Sequence, residues 1–425
     1  MQNNAAKTII FFSLHYPFHV SDSYLDKEID LIAPHFRKVL IISSNTFTPE
    51  RRATPVNATV YRFSPFNLKA GISALAMLFS TFFYVELYRL LFVYRKPLTP
   101  ALLKEIFAFY GRALSTRKYI EQLVADEKID TNNLLIYSYW MIESSFAAAM
   151  FKRKFPKVKV IARAHSLDVY FDRTTVKYHA FRAFILRQLD KLYFISEDAK
   201  EYFARVHAFT AEQMQKAKVS RIGIEPNAQL TDKQPTAVLR IISVGYIQKL
   251  KRVDLIIDAL ALMDRNIEWV HVGHSNHNEK DFVAIQQYAV SQLGNKQNIA
   301  YRFTGKTSKE ELFGMYAANP FDVFLNVSET EGIPVSMMEA MSYSVPVIGT
   351  LVGGVGEIVT DGVNGFLLSA YPDKHEVKKA LEKFALLSPE TRSLLRKGAF
   401  DTWNTKYNAQ VNNQWFVADV MQLFQ

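Results

Sequence analysis

The sequence predicts an α/β chain of two domains, each a parallel sheet covered by helices. Short apolar runs recur along its 425 residues with helical stretches between them, the pattern of repeated β-α-β units. The runs fall into two sets, separated by PNAQLTDKQPTAV (Pro226 to Val238), a polar stretch with two prolines that reads as a linker. A chain of this length is also large for a single core. The domains are therefore drawn as 1–225 and 226–400.

The first set opens with Thr8 to Leu14. That run is too short for a signal peptide, only Lys7 precedes it, and no small-residue cleavage site follows, so it reads as a first buried strand. Val39 to Ser43, Leu134 to Tyr137, Val158 to Ala162 and Leu192 to Ile195 continue the first sheet. Arg240 to Val244, Trp269 to Val272, Tyr301 to Phe303, Val323 to Val327 and Pro346 to Gly349 make the second. The stretch Ile72 to Tyr94, ISALAMLFSTFFYVELYRLLFVY, breaks this rhythm. It is long enough to span a bilayer and its first part is apolar all round, but Glu86 and Arg89 interrupt it and Arg95 and Lys96 follow. Three readings stand for it: a helix inserted into a membrane surface or facing a cleft, a core helix, and a transmembrane helix.

The segment Asp322 to Leu368, DVFLNVSETEGIPVSMMEAMSYSVPVIGTLVGGVGEIVTDGVNGFLL, carries the most chemistry. It reads as a buried strand, a polar loop, a helix starting at Pro334, a second strand and a glycine turn. Proline suits the first helical position because its missing N–H is one the helix could not use. The amides just beyond, at Val335 and Ser336, then face out of a helix end that carries partial positive charge and attracts phosphate. Glu331 precedes that helix. Glu339 lies on it, one turn past Val335 and on the same face. Phosphate-holding amides between two acceptor-only carboxylates suit a ligand with hydroxyls on both sides of a diphosphate, which is the layout of a nucleotide sugar. The turn Gly353-Gly354-Val355-Gly356-Glu357 offers a second set of amides. Two glutamates eight apart arise about once by chance in a chain this rich in Glu, so the specific signal is the whole strand, loop, helix, strand and turn.

This segment resembles the family 4 retaining glycosyltransferases, which have the two-domain GT-B fold. Their E-x7-E signature matches Glu331 and Glu339, and their GGxxE turn matches Gly353, Gly354 and Glu357. The resemblance continues through SVGYIQKLKRVDLIIDAL (Ser243 to Leu260), IEWVHVGHSN (Ile267 to Asn276) and FTGKTSKEELFGMYAAN (Phe303 to Asn319). More faintly it reaches IYSYW (Ile136 to Trp140), ARAHSLDVY (Ala162 to Tyr170), FISEDAKEYF (Phe194 to Phe203) and SRIGIE (Ser220 to Glu225). It looks closest to the bacterial branch that builds capsular, exopolysaccharide and lipopolysaccharide glycans.

The resemblance implies two Rossmann-like, doubly wound domains facing across a cleft, the first for the acceptor and the second for the donor. The terminal helix 401–425 would pack back on the first domain. It implies a hexosyltransferase that moves a sugar from a nucleoside-diphosphate-sugar donor to a glycan or lipid-linked acceptor with retention. Glu331 would grip sugar hydroxyls and Glu339 the ribose diol. Gly332, Ile333, Val335, Ser336, Gly353 and Gly354 would hold phosphate, Lys251 would balance the leaving diphosphate, and His165 would reach the transferred sugar. Asp168 would organise its loop or hold Arg163. The sequence departs from the family at two points. Tyr246 follows the strand glycine Gly245 where the family has an arginine, so Arg252 is the candidate substitute. The loop Tyr16 to Ser21 after the first strand holds no glycine.

Composition narrows the partners. Lys and Arg outnumber Asp and Glu by 51 to 41, a net charge of +10 that suits phosphorylated substrates, anionic lipid or nucleic acid. No basic block with interleaved aromatics is present, so nucleic acid is not expected. Cysteine is absent, which excludes disulfides and thiolate metal sites and fits a cytoplasmic setting. There is no Asp-x-Asp and no histidine pair at ligand spacing, so neither a catalytic metal nor a cofactor is expected. With a lipid-linked acceptor, the expected place is the inner face of the plasma membrane. The rival reading is a non-catalytic GT-B nucleotide-binding or scaffold subunit, favoured by the missing arginine, the glycine-free loop and His274 where the family often has Asp. A dinucleotide-dependent oxidoreductase is weaker still, because no G-x-G-x-x-G follows the first strand.

Overall fold

The named strands pair only in parallel, in two separate sheets, and each such pairing needs a crossover between its strands. The computed structural model describes residues 7–18, 25–45, 47–65, 75–225, 237–275, 278–318 and 321–425. It divides into two compact units, Met1–Arg221 with Asn413–Gln425, and Ile222–Asn412.

Unit one holds β1 (Thr8–Ser13), β2 (Lys38–Ser43), β3 (Ala58–Arg62), β4 (Leu134–Ser138), β5 (Lys159–Ala164), β6 (Lys191–Phe194) and β7 (Ala217–Val219). Their order is β3-β2-β1-β4-β5-β6-β7. Central strands β1 and β4 are buried along their whole length, which is why TIIFFS and LLIYS are nearly continuous apolar runs. Thr8 pairs with Lys38 on one side and Leu134 on the other, so strand order reverses between β1 and β4. Doubly wound sheets bind ligands beyond the strand ends at such a switch point.

One face of this sheet packs on helices Pro100–Asp126 and Glu143–Lys154, where the rings of Phe146 and Phe181 stack 4.5 Å apart. The other face meets the terminal helix Ala409–Met421, with Phe416, Val417 and Val420 buried beside Phe11, Tyr137 and Tyr193. Under that helix the fully buried Arg163 bonds Glu28 at 2.5 Å and Tyr137 at 3.1 Å. Each guanidinium and carboxylate taken from water needs such partners.

Unit two holds β8 (Leu239–Val244), β9 (Ile267–Val272), β10 (Ile299–Phe303), β11 (Val323–Asn326), β12 (Val347–Thr350) and β13 (Gly365–Leu368), in the order β10-β9-β8-β11-β12-β13. Its switch point lies between β8 and β11. Trp269 is wholly buried and spends its one donor on Ser243 Oγ at 2.9 Å. The drawn ends 225 and 400 become 221 and 412 for a local reason. Ile224 N donates to Tyr407 O, and Ala409 N returns a bond to Ile224 O, fastening both stretches into unit two. Of the linker Pro226 to Val238, residues 226–236 lie outside the described residues, as do 19–21 of the loop Tyr16 to Ser21.

The doubly wound α/β architecture expected from the sequence is what the chain adopts, and each of the ten expected strands is present. Three went unrecognised. β3 has no fully buried residue and β7 has three residues, both with weak apolar signal, and β13 is a four-residue run, GFLL, that opens on a glycine; all three are sheet edges.

Residues 72–74 of the stretch Ile72 to Tyr94 lie outside the described residues, and the remainder is not one helix. A 3-10 turn Leu75–Phe79, a helix Thr81–Tyr88 and a π turn Arg89–Val93 follow one another, broken where Ser80 caps the helix by accepting from Phe82 N. Among the described residues no helix is long and apolar enough to cross a membrane, which corrects the transmembrane alternative. The stretch is two-faced instead. Met77, Glu86 and Leu90 are buried and Phe82 and Phe83 pack on the core, whereas Phe79, Tyr84, Tyr88 and Phe92 are exposed.

Candidate active site

Two loops meet at the switch point of unit two. The loop after β8 closes in a 3-10 turn, Lys249–Lys251, and leads into the helix Val253–Ala261. The loop after β11 runs to the helix Val335–Ser342. Glu329 N donates to Leu250 O at 2.8 Å, and Lys251 Nζ reaches Glu331 Oε1 at 2.7 Å. Asn326, at the end of β11, donates to the same Oε1 at 3.0 Å. Asn326 is not recognisable from the sequence, since a lone asparagine after an apolar run carries no signal. Glu331 is thus a largely buried carboxylate held by one cation and one amide.

The glycine turn serves this carboxylate in an unforeseen way. Gly353 has φ +50°, and a Cβ there would lie 1.9 Å from Glu331 O, so only glycine lets the turn press against the loop. Gly354 N donates to Gly332 O at 2.7 Å. The Gly354 amide, expected to hold phosphate, is therefore spent on positioning the Glu331 loop. Pro334 is corrected as well: it caps the helix from outside with extended backbone, and Val335 is the first helical residue. Met337 N bonds Pro334 O, leaving the amides of Val335 and Ser336 ahead of the first helical bond, as expected. Gly332 and Ile333 lie between Glu331 and that helix end.

Glu339 stands in a separate pocket of about 510 Å³, with Gly245, Gly273, His274, Thr307 and Lys309 among its walls. Burial lifts its carboxyl to about 7, with Lys309 pulling the other way. Gly273 has φ +142°, and a Cβ would collide with Gly245 O at 2.1 Å, so the ends of β8 and β9 touch at two glycines. Gly245 links the two clusters. It lines this pocket, and the Lys251 stem passes 3.9 Å from where its Cβ would be. Tyr246 also lines the pocket, so no cation stands after the strand glycine. Arg252 does not replace it: its Nη2 donates to Pro372 O at 2.9 Å, in the loop after β13.

Residues 231–401 match the family model described as glycosyl transferases group 1.

That segment is similar to the glycosyl transferases group 1.

Lys251, Glu331, Glu339 and the glycine turn all lie inside the group 1 segment. An uncharacterized glycosyltransferase of Methanocaldococcus jannaschii is 26% identical over 63% of this chain and 69% of its own. A putative colanic acid biosynthesis glycosyltransferase of Escherichia coli is 27% identical over 47% of this chain, and the match spans half its length. A crystal structure of an Anabaena protein in complex with UDP matches 98% of this chain and all of its own, with a TM-score of 0.63 at 15% identity. That likeness shows the fold, which is GT-B.

His165 and Asp168 lie outside the group 1 segment, in unit one. His165 is buried, its ring 4.7 Å from Tyr139 and 4.2 Å from Trp140, and its Nε2 donates to Tyr139 O at 3.0 Å. Burial first, then Arg163, depresses its pKa to about 3, so the ring is neutral. The ring is thus held within unit one by its own loop neighbours. Asp168 organises the loop: its two oxygens accept from His165 N and Met141 N. Arg163 is held by Glu28 instead. Among the described residues no group of three His, Cys, Asp or Glu side chains gathers as metal ligands would.

Proposed function

We propose that this chain transfers a hexosyl residue from a nucleoside-diphosphate sugar to a glycan or lipid-linked glycan acceptor, with retention, in cell-surface polysaccharide assembly. The observation that carries this reading is the Lys251–Glu331 pair at the switch point, 2.7 Å apart, beside the open helix end at Val335 and Ser336. The donor diphosphate lies against that helix end and Lys251, while Glu331 accepts from hydroxyls of the transferred sugar. Glu339 accepts from the ribose diol, in a pocket of nucleoside size. The acceptor oxygen attacks the anomeric carbon on the face the diphosphate leaves. The carbon–oxygen bond to diphosphate breaks, and the acceptor proton passes to the departing oxygen. Lys251 and the amides, rather than a divalent ion, offset the developing charge.

The UDP bound by the Anabaena neighbour favours UDP-sugars as the first donors to try, and the colanic acid relative favours an extracellular polysaccharide as product. The two-faced stretch at 75–94, with Arg89, Arg95 and Lys96, supports docking of unit one on an anionic membrane face. Donor hydrolysis without acceptor, assayed across UDP-, GDP- and ADP-sugars, tests the enzymatic reading. Release of free sugar from one of them is expected; nucleotide binding with no release from any donor would leave the scaffold reading instead.

A further inference from the structure

Unit one contains a pocket of about 410 Å³ beyond the ends of β1 and β4, and three of its lining side chains bury polar atoms that have no partner among the described residues. Arg182 is 3% exposed. Its Nη2 makes one long bond to Asp168 O at 3.3 Å, while Nε and Nη1 have no partner among the described residues. Asp168 and Glu86 are the nearest acids acting on it, yet neither makes an ion pair with it within 4 Å among those residues, although buried guanidiniums are ordinarily paired. His179 donates through Nε2 to Leu167 O at 2.9 Å, which fixes its proton there and leaves Nδ1 as a buried acceptor, unfilled among the described residues. Trp140 Nε1 is a buried donor that is likewise unfilled among the described residues. Native chains pair nearly all such groups, so three of them lining one pocket ask for a ligand.

The missing partners define its chemistry. Arg182 calls for an anion, Trp140 for an acceptor oxygen and His179 for a hydroxyl. The apolar wall of Leu102, Ile106 and Phe109 suits the C–H face of a ring. A single negative charge fits better than two. Arg112 already holds Glu105 at 2.8 Å and stands 3.7 Å from Glu143, Asp168 is filled by backbone amides, and Arg173 is exposed at the pocket's edge, so among the described lining residues the buried guanidinium without an ion pair is that of Arg182. The second charge of a phosphate would face those three acids.

We infer that this pocket is a subsite for a carboxylated sugar, held through Arg182, His179 and Trp140, and that the acceptor glycan presents such a residue. The assignment of the sugar to the acceptor rests on the transfer reaction proposed above; the binding itself does not. The test is calorimetric titration of the full chain, without donor, with p-nitrophenyl glucuronide, p-nitrophenyl glucoside and glucose 6-phosphate. The glucuronide is expected to bind at least tenfold tighter than the other two. Arg182→Gln should erase that preference. Because Arg182 is buried and replacing it puts folding at risk, a second variant, Trp140→Phe, which keeps the ring and removes one donor, should weaken the glucuronide severalfold with an unchanged melting temperature. Equal binding of glucuronide and glucoside, or tighter binding of the phosphate, overturns the carboxylate assignment. No binding of any of them means that water fills these groups, and the site falls. Donor hydrolysis with no glucuronide preference would defeat this inference alone, and glucuronide binding without donor hydrolysis would defeat the transferase reading alone.

Discussion

Glu331 is a carboxylate nearly closed off from water, and Lys251 and Asn326 both bond the same oxygen. Removing the lysine leaves a buried charge with one amide, at a cost on the order of 1–3 kcal/mol. Lys251→Met should therefore lower the melting temperature and weaken nucleoside-diphosphate binding together, read by calorimetry on one sample; a loss in only one would separate structure from binding. Glu339 makes a second prediction, on pH. Its folded carboxyl is raised from 4.5 to about 7 by burial, so between those values the folded chain holds a proton that the unfolded chain has lost. Its contribution to stability is greatest below about 4.5 and is lost as pH rises toward about 7. Ligand binding carries the opposite sign. A ribose diol bonds best to the ionised form, so nucleotide affinity should fall about tenfold per pH unit below 7. Glu339→Gln should flatten both profiles; a nucleotide affinity that is level with pH in the wild type would remove Glu339 from the ribose.

At the scale of elements, the central strands were readable because both faces of a parallel sheet are covered, which forces apolar runs such as TIIFFS and KVLIIS. Edge strands β3 and β7 lack that constraint and stayed hidden. The site was legible where the pattern is local, in Glu331, Glu339 and the helix end. It failed where a partner comes from elsewhere in the chain. Arg252 turns to Pro372, 120 residues on, and Gly354 spends its amide on Gly332, contacts that no spacing announces. The stretch at 75–94 shows the same limit, because its apolar count did not reveal which side chains face inward. Phe79 is 94% exposed and Phe92 68%, whereas Phe82 packs among Phe146 and Phe184. Substituting Phe79 and Phe92 by Ser should thus leave the melting temperature nearly unchanged. The wild type should sediment with anionic vesicles, less so at high salt, and the double variant should stay in the supernatant. A wild type that ignores vesicles at low salt would contradict the docking surface.

For the whole molecule, the chain returns to its first unit at Asn413. Phe416, Val417 and Val420 bury against the first sheet, Tyr193 bonds Asp419 at 2.7 Å, and Lys191 pairs with it at 2.8 Å. Each apolar side chain so buried contributes about 1.5–3 kcal/mol. Truncation after Asn412 should therefore destabilise unit one selectively, seen as rapid proteolysis of residues before 221 while the 222–412 fragment survives; equal resistance of both would contradict this. Glu331 remains the test of function. The decisive measurement is turnover of Glu331→Gln alongside its nucleoside-diphosphate affinity, using a donor the wild type hydrolyses. Loss of oriented acceptors at the reacting sugar predicts turnover reduced on the order of a hundredfold or more, with affinity for the nucleoside diphosphate within a fewfold of wild type. Turnover near the wild-type rate would place the reacting sugar away from Glu331 and contradict the account.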